Sequence, residues 1–202
     1  MNDLLMYERD FLSKGKKVIA GIDEAGRGPL AGPVVVASVI MPLDNIIEGV
    51  NDSKKVPEKK RKELYKKILE TALAYDIEVV DVETIDRINI LNATKLGMKN
   101  CIDNIKVKPD VVLIDAVKID SDVETVPIIK GDTKSYSIAS ASILAKEYRD
   151  NLMREYDEEY PVYNFSKHKG YGTKLHIDLI KQYGICSLHR KTFVKKFYEH
   201  KD

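Results

Sequence analysis

Residues 18–40 read VIAGIDEAGRGPLAGPVVVASVI. Two apolar runs rich in β-branched residues flank a segment that carries Gly26, Gly28, Gly32, Pro29 and Pro33, the pattern of two strands joined by a tight, irregular turn. The first strand is expected over residues 17–23 and the second over residues 34–41. The first one stops on two adjacent acids, Asp23 and Glu24. A desolvated carboxylate is costly unless something positive meets it, so a buried strand does not end this way for the sake of stability.

Working outward, PEKKRKELYKKILETALAY opens with Pro57 at a favourable first helical position and sets Leu64, Ile68, Leu69 and Ala72 on one stripe. It predicts an amphipathic helix with a basic outer face. Residues 76–83 alternate at period two and predict a strand, after which residues 84–104 return to helical spacing through Ile88, Leu91, Met98 and Ile102. After Pro109, DVVLIDA has four consecutive apolar residues and ends on Asp115, repeating the pattern at Asp23. Residues 124–130 predict a further short strand. Residues 135–156 predict a long helix, whose Ala- and Ser-rich first half permits close packing on a sheet. The alternation argues for an α/β fold with about five strands flanked by helices. Residues 1–202 are expected to form a single domain, with 1–16 a short N-terminal extension and about 157–202 a basic, helical C-terminal segment.

Of the 202 residues, 44% are hydrophobic and 32% charged, an ordinary globular balance. No apolar run reaches the roughly 18 residues of a membrane span. The N-terminus mixes acids into its apolar positions, unlike a secretory leader, so a cytoplasmic location, reduced Cys101 and Cys186, and no membrane partner are expected. The net charge of +1 hides a segregation: residues 51–67 carry eight Lys/Arg against three acids and residues 166–202 nine against three. Basic surface of this kind suits a polyanion such as nucleic acid.

Asp23, Glu24, Asp115 and Asp150 come from two strand ends and one helix, and hard oxygen ligands from separate elements are how proteins hold Mg²⁺ or Mn²⁺. Such a set fits two-metal phosphoryl chemistry, which needs no histidine or serine nucleophile. Accordingly the chain has no GxSxG or HExxH, and His168, His176, His189 and His200 lack zinc-ligand spacing. Asp132, in KGDTKS, reads either as a fifth carboxylate at the rim of the site or as a cap for the helix beginning near Ser135; the capping reading is preferred, and Asp132 stays outside the metal set. GRGPLAG is not a dinucleotide fingerprint, because its third glycine falls one residue too far.

Four blocks, GIDEAGRGPLAGPVVVA, DSKKV, DTKSYSIASASILAKEYRD and HKGYGTKLH, together with Asp115 in VVLIDA, resemble the type 2 ribonucleases H (RNase HII) over about residues 17–193. The resemblance implies an RNase H-like fold with a mixed sheet. It also implies an endonuclease that cuts RNA in RNA–DNA hybrids and cuts 5′ of ribonucleotides embedded in duplex DNA. By the same resemblance, Asp23, Glu24, Asp115 and Asp150 are the metal ligands for two divalent ions in the substrate complex. Gly26, Arg27 and Gly28 form the turn that reads the 2′-hydroxyl, and Tyr171 packs on the next sugar. Lys54, Lys55, Lys169 and Lys174 are expected phosphate contacts, and the chain is expected to act as a monomer. The type 3 enzymes share the acids but carry a large N-terminal domain, whereas only 22 residues precede Asp23. GICSLHRKTF departs from the family pattern, with Ile185, Cys186 and Ser187 where prolines are expected.

Overall fold

A computed structural model describes residues 4–198. Helix α1 (Met6–Ser13) precedes strands β1 (Ile19–Ala25) and β2 (Val34–Ile40). Then come α2 (Glu58–Thr71), β3 (Ala74–Val80), α3 (Val82–Ile88), α4 (Ile90–Asn104), β4 (Val111–Asp115) and β5 (Thr125–Ile128). The remainder is helical: α5 (Tyr136–Glu159), α6 (Phe165–His168), α7 (Lys174–Tyr183) and α8 (Lys191–Tyr198). His200 and the end of the expected basic tail lie outside the described residues. No described helix is long and apolar enough to cross a membrane.

The five strands form one mixed sheet in the order β3-β2-β1-β4-β5. β1–β2 and β2–β3 pair antiparallel, whereas β4 runs parallel to β1 and β5 parallel to β4. β1, β4 and β5 therefore end at the same edge. The register sets Ile22 beside Ile114, so one step further Asp23 stands beside Asp115. The expected mixed, five-stranded sheet is what the chain forms.

Side chains alternate across the sheet. Ala20, Ile22, Val112 and Ile114 meet Met98, Cys101 and Ile102 of α4 on one face. On the other face α2 and α5 pack through Leu64, Ile68, Ala141 and Leu144 against Val35, Ala37 and Val39. Ile22 and Ile114 are wholly buried and each contributes about 2 kcal/mol of transfer free energy. Gly21 points at α5, where a Cβ would overlap the Ser137 backbone, so glycine is what lets β1 lie directly under the helix.

Two local expectations change. The helix expected over 84–104 is two helices, because Asn89 sits at φ +67° and its side chain accepts the Asn92 amide at 3.1 Å, capping α4. Leu91 consequently falls on an exposed face, and Asp81 caps α3 by accepting the Thr84 amide at 2.7 Å. At α5 the cap is Ser135, whose hydroxyl accepts the Ile138 amide at 3.1 Å, and not Asp132.

Candidate active site

Asp23, Asp115 and Asp132 place carboxylate oxygens within 4.8 Å of one another. The first two stand near the ends of neighbouring parallel strands. Asp132 lies on a short turn, Gly131–Thr133, four residues beyond the end of the third parallel strand. That turn is moored to the cluster, since the Gly131 amide donates to Asp115 Oδ1 at 2.7 Å. Glu24 stands beside them at the end of β1, with Oε1 3.4 Å from the Arg27 guanidinium. Its Oε2 is buried and has no hydrogen-bond partner among the described residues.

Burial, then the nearby charges of Glu24 and Asp115, push the Asp23 carboxyl well above its ordinary pKa. Burial also raises Glu24, against the pull of Arg27, and raises Asp132, with Asp52 and Asp115 adding repulsion. Burial works against the Lys54 ammonium, yet attraction to Asp23, Asp132, Asp52 and Asp115 holds its pKa above that of an ordinary lysine. The cluster thus carries crowded negative charge that a divalent cation would neutralise, and an orphaned buried oxygen on Glu24 fits that demand.

Asp150, expected in the metal set, is not brought to this cluster. Its carboxylate accepts from Lys146 Nζ at 2.5 and 2.6 Å and lies 3.4 Å from Arg61. Arg61 in turn pairs with Glu147 at 2.5 Å and donates to the Ser53 and Val56 carbonyls. Asp150 is thus the buried counter-ion of a network that fixes the loop bearing Lys54. Asp132, excluded at first, takes the place beside Asp23 and Asp115.

A cleft of ≈ 540 Å³ opens beside the acids, lined by Glu24, Gly26, Arg27, Gly28, Lys54 and Tyr171, with Ser53, Ser142 and Lys146 completing the wall. Gly26 has φ +97°, and a Cβ there would overlap Arg149, so no other residue fits without displacing that arginine. Tyr171 is 42% exposed, its ring 5.8 Å from the Arg149 guanidinium. Its loop is tied down by imidazoles: the Tyr171 carbonyl bonds His176 Nδ1 at 3.0 Å, and the Gly170 amide donates to His168 Nδ1 at 3.1 Å. His176 Nε2 meets His189 Nε2 at 3.1 Å, and the Cys186 amide donates to His189 Nδ1 at 2.9 Å. His168, His176 and His189 thus bond main-chain atoms and one another, and a proline at position 186 could not make that last bond.

Of the other lysines, Lys55 is exposed with its ammonium 3.9 Å from Asp52. Lys169 donates to the Ser166 carbonyl, and Lys174 pairs with Asp178 at 3.3 Å on an exposed face of α7. None of the three lines the cleft, whereas Lys146, which sequence reasoning passed over, does. The sequence signal for Asp132 is faint: an acid four residues after the short strand that ends at Ile128.

A sequence model of the ribonuclease HII family matches residues 20–200. Ribonuclease HII of Acetivibrio thermocellus is 54% identical over 196 residues, covering 96% of this chain and 77% of its own length. That of Caldicellulosiruptor bescii is 53% identical over 189 residues, 93% of this chain and 92% of its own. Among solved structures, the RNase HII in a PCNA complex from Archaeoglobus fulgidus superposes with a TM-score of 0.75 at 26% identity, over 86% of this chain and 94% of that one. The ribonuclease H2 of Pyrococcus horikoshii OT3 gives 0.77 at 24% identity over 90% and 97%, a likeness of fold. This chain belongs to the ribonuclease HII family, endoribonucleases that hydrolyse the RNA strand of RNA–DNA hybrids.

Proposed function

We propose that the cleft beside Asp23 cuts duplexes on the 5′ side of an embedded ribonucleotide, leaving 3′-hydroxyl and 5′-phosphate ends, and so serves removal of ribonucleotides from DNA. One observation carries this reading: the carboxylates of Asp23 on β1, Asp115 at the end of β4 and Asp132 on the turn after β5 converge within 4.8 Å, beside a cleft lined by the glycine turn. Asp23, Glu24, Asp115 and Asp132 are the proposed ligands. Two Mg²⁺ or Mn²⁺ ions held there with substrate would activate a water and stabilise the leaving oxygen.

The remaining groups bind and select. Lys54 and Lys146 face the cleft as cations and suit the phosphate backbone. The 26–28 turn offers main-chain groups to a 2′-hydroxyl, a way to tell RNA from DNA without reading a base. Tyr171, which lines the same cleft close to Gly28, supplies a flat apolar face for the neighbouring sugar. We read residues 1–202 as one catalytic unit acting as a monomer.

The test compares two labelled DNA duplexes, identical except for one ribonucleotide, incubated with Mg²⁺, with Mn²⁺ and with chelator. Metal-dependent cutting only 5′ of the ribonucleotide supports the proposal. Cutting both duplexes removes the ribose check, and salt-sensitive binding without any cutting makes the chain a binding module instead.

A further inference from the structure

The glycine turn is gripped from behind by two arginines that are almost completely buried, Arg149 at 1% exposure and Arg190 at 0%. Neither forms an ion pair with a carboxylate among the described residues; the charges of Asp150 and Asp86 act on Arg149 and Arg190 only at longer range. Arg190 donates to the carbonyls of Gly26 at 2.6 Å, Arg27 at 2.9 Å and Gly32 at 2.9 Å. Arg149 donates to Pro33 at 2.9 Å, Ala31 at 3.1 Å and Lys169 at 2.9 Å. Five of these six carbonyls belong to residues 26–33, and the sixth lies two residues before Tyr171.

A buried cation without a counter-ion is a poor source of stability, and packed apolar residues would serve a loop better. What a guanidinium offers is a rigid planar fork that fixes several carbonyl directions at once, which a lysine cannot do. The consequence follows from peptide geometry. In a trans peptide the C=O of one residue and the N–H of the next point to opposite sides. With the Gly26 and Arg27 carbonyls drawn inward onto Arg190, the Arg27 and Gly28 amides face the other way, toward the cleft. Neither amide has an acceptor among the described residues.

We infer that Arg190, with Arg149 beside it, is a positioning residue for ribose recognition: by holding the Gly26 and Arg27 carbonyls inward it aims the next two amides at the 2′-hydroxyl. The inference rests on the reading of the turn as the ribose check. It also assigns the C-terminal segment around Arg190 a part in the site, although none of that segment lines the cleft. Burial lowers the Arg190 pKa only to about 9, so the fork stays charged at neutral pH.

The experiment measures affinity by fluorescence anisotropy, in Ca²⁺ with strand integrity checked on gels, for a DNA duplex with one ribonucleotide and for its all-DNA twin. The ratio of the two dissociation constants is the readout. R190K keeps the charge and loses the fork. V194A, at a wholly buried position packed with Leu30 and Ile180, loosens the same segment without touching a carbonyl. The expected result is a ratio reduced about tenfold or more in R190K, with all-DNA binding little changed, and a wild-type ratio in V194A. A ratio in R190K within twofold of wild type, or an equal fall in V194A, overturns the inference. If R190K does not fold, R149K carries the same comparison. A wild-type protein without ribose preference would instead strike at the reading of the turn itself, so the two failures are distinguishable.

Discussion

Asp132 and Asp150 make opposite demands on the molecule, and exchanging each for its amide separates them. Asp132 adds charge to a crowded, buried cluster, and its pKa is raised by burial and by the repulsion of Asp52 and Asp115. D132N should therefore leave stability unchanged or slightly increased, while hydrolysis falls about 10³-fold, the loss of roughly 4 kcal/mol of transition-state stabilisation. Asp150 does the reverse. It is the counter-ion of Lys146 and Arg61, with a side chain only 4% exposed, and breaking a buried pair from one side costs about 3–5 kcal/mol. For a chain of this size that lowers Tm by about 6–20 °C. The folded fraction of D150N should keep cleavage within about tenfold of wild type, because no Asp150 oxygen reaches the acid cluster. Thermal denaturation with single-turnover cleavage of a one-ribonucleotide duplex at 25 °C reads both quantities. A D150N protein with wild-type Tm and a 10³-fold slower reaction, or a D132N protein still cleaving within tenfold, would refute the assignment.

Three further outcomes are expected. His176 and His189 are held by burial at about pKa 4, below the 6.5 of an unfolded histidine. Their contribution is therefore complete above pH 6.5 and lost as pH falls toward 4, by about 3 kcal/mol for the first proton taken up. Urea midpoints across that range should show the slope in wild type and a flatter one in H176Q; equal slopes would remove the histidines as its source. G26A should lose more than about 3 kcal/mol, since strain at φ +97° adds to overlap with Arg149, and a urea midpoint near wild type would mean that the turn relaxes freely. Glu8, wholly buried on α1, accepts from the Ser135 hydroxyl at 2.6 Å and the Ser137 amide at 2.9 Å. E8A should cost about 1–3 kcal/mol by leaving those donors unpaired, measured by thermal denaturation, and an unchanged Tm would show that water replaces the carboxylate.

What could be read in the chain beforehand was whatever repeats at short range. The strand at Asp23, the strand at Asp115 and the long helix after Ser135 each declare themselves through periodicity and a flanking signal. The sheet followed from their alternation. What failed was choice among acids of equal local appearance. Asp150 sits one helical turn after Lys146, which pairs with it, but only the fold brings Arg61, 89 residues away, to complete its neutralisation. Asp132 sits three residues before a serine-capped helix, where a capping role is the ordinary reading, and only the parallel pairing of β5 with β4 carries it to the cluster. The break at Asn89 was hidden for a related reason: its neighbours keep helical spacing, and only a backbone dihedral separates α3 from α4.

The same contrast explains how the site divides its work. Groups that face a substrate must stay accessible and can be found as motif letters: Asp23, Glu24, Arg27 and Tyr171 all lie in short quotable blocks. Groups that give those letters their direction are buried, and their partners are main-chain atoms with no identity of their own. A carbonyl at Gly26 is chemically the same as any other until Arg190 lies 2.6 Å from it. Aim at the glycine turn is therefore encoded by residues remote in sequence, Arg149 and Arg190, converging on 26–33, whereas the Tyr171 loop is held by its near neighbour His176. If the turn is the ribose check proposed above, that arrangement makes selectivity for ribose separable from hydrolysis, because the acids are anchored by β1, β4 and the Gly131 amide and not by the arginines. Damage to the arginine grip should then dull discrimination before it abolishes the chemistry, whereas damage to the strand-end acids should abolish the chemistry and leave the grip intact.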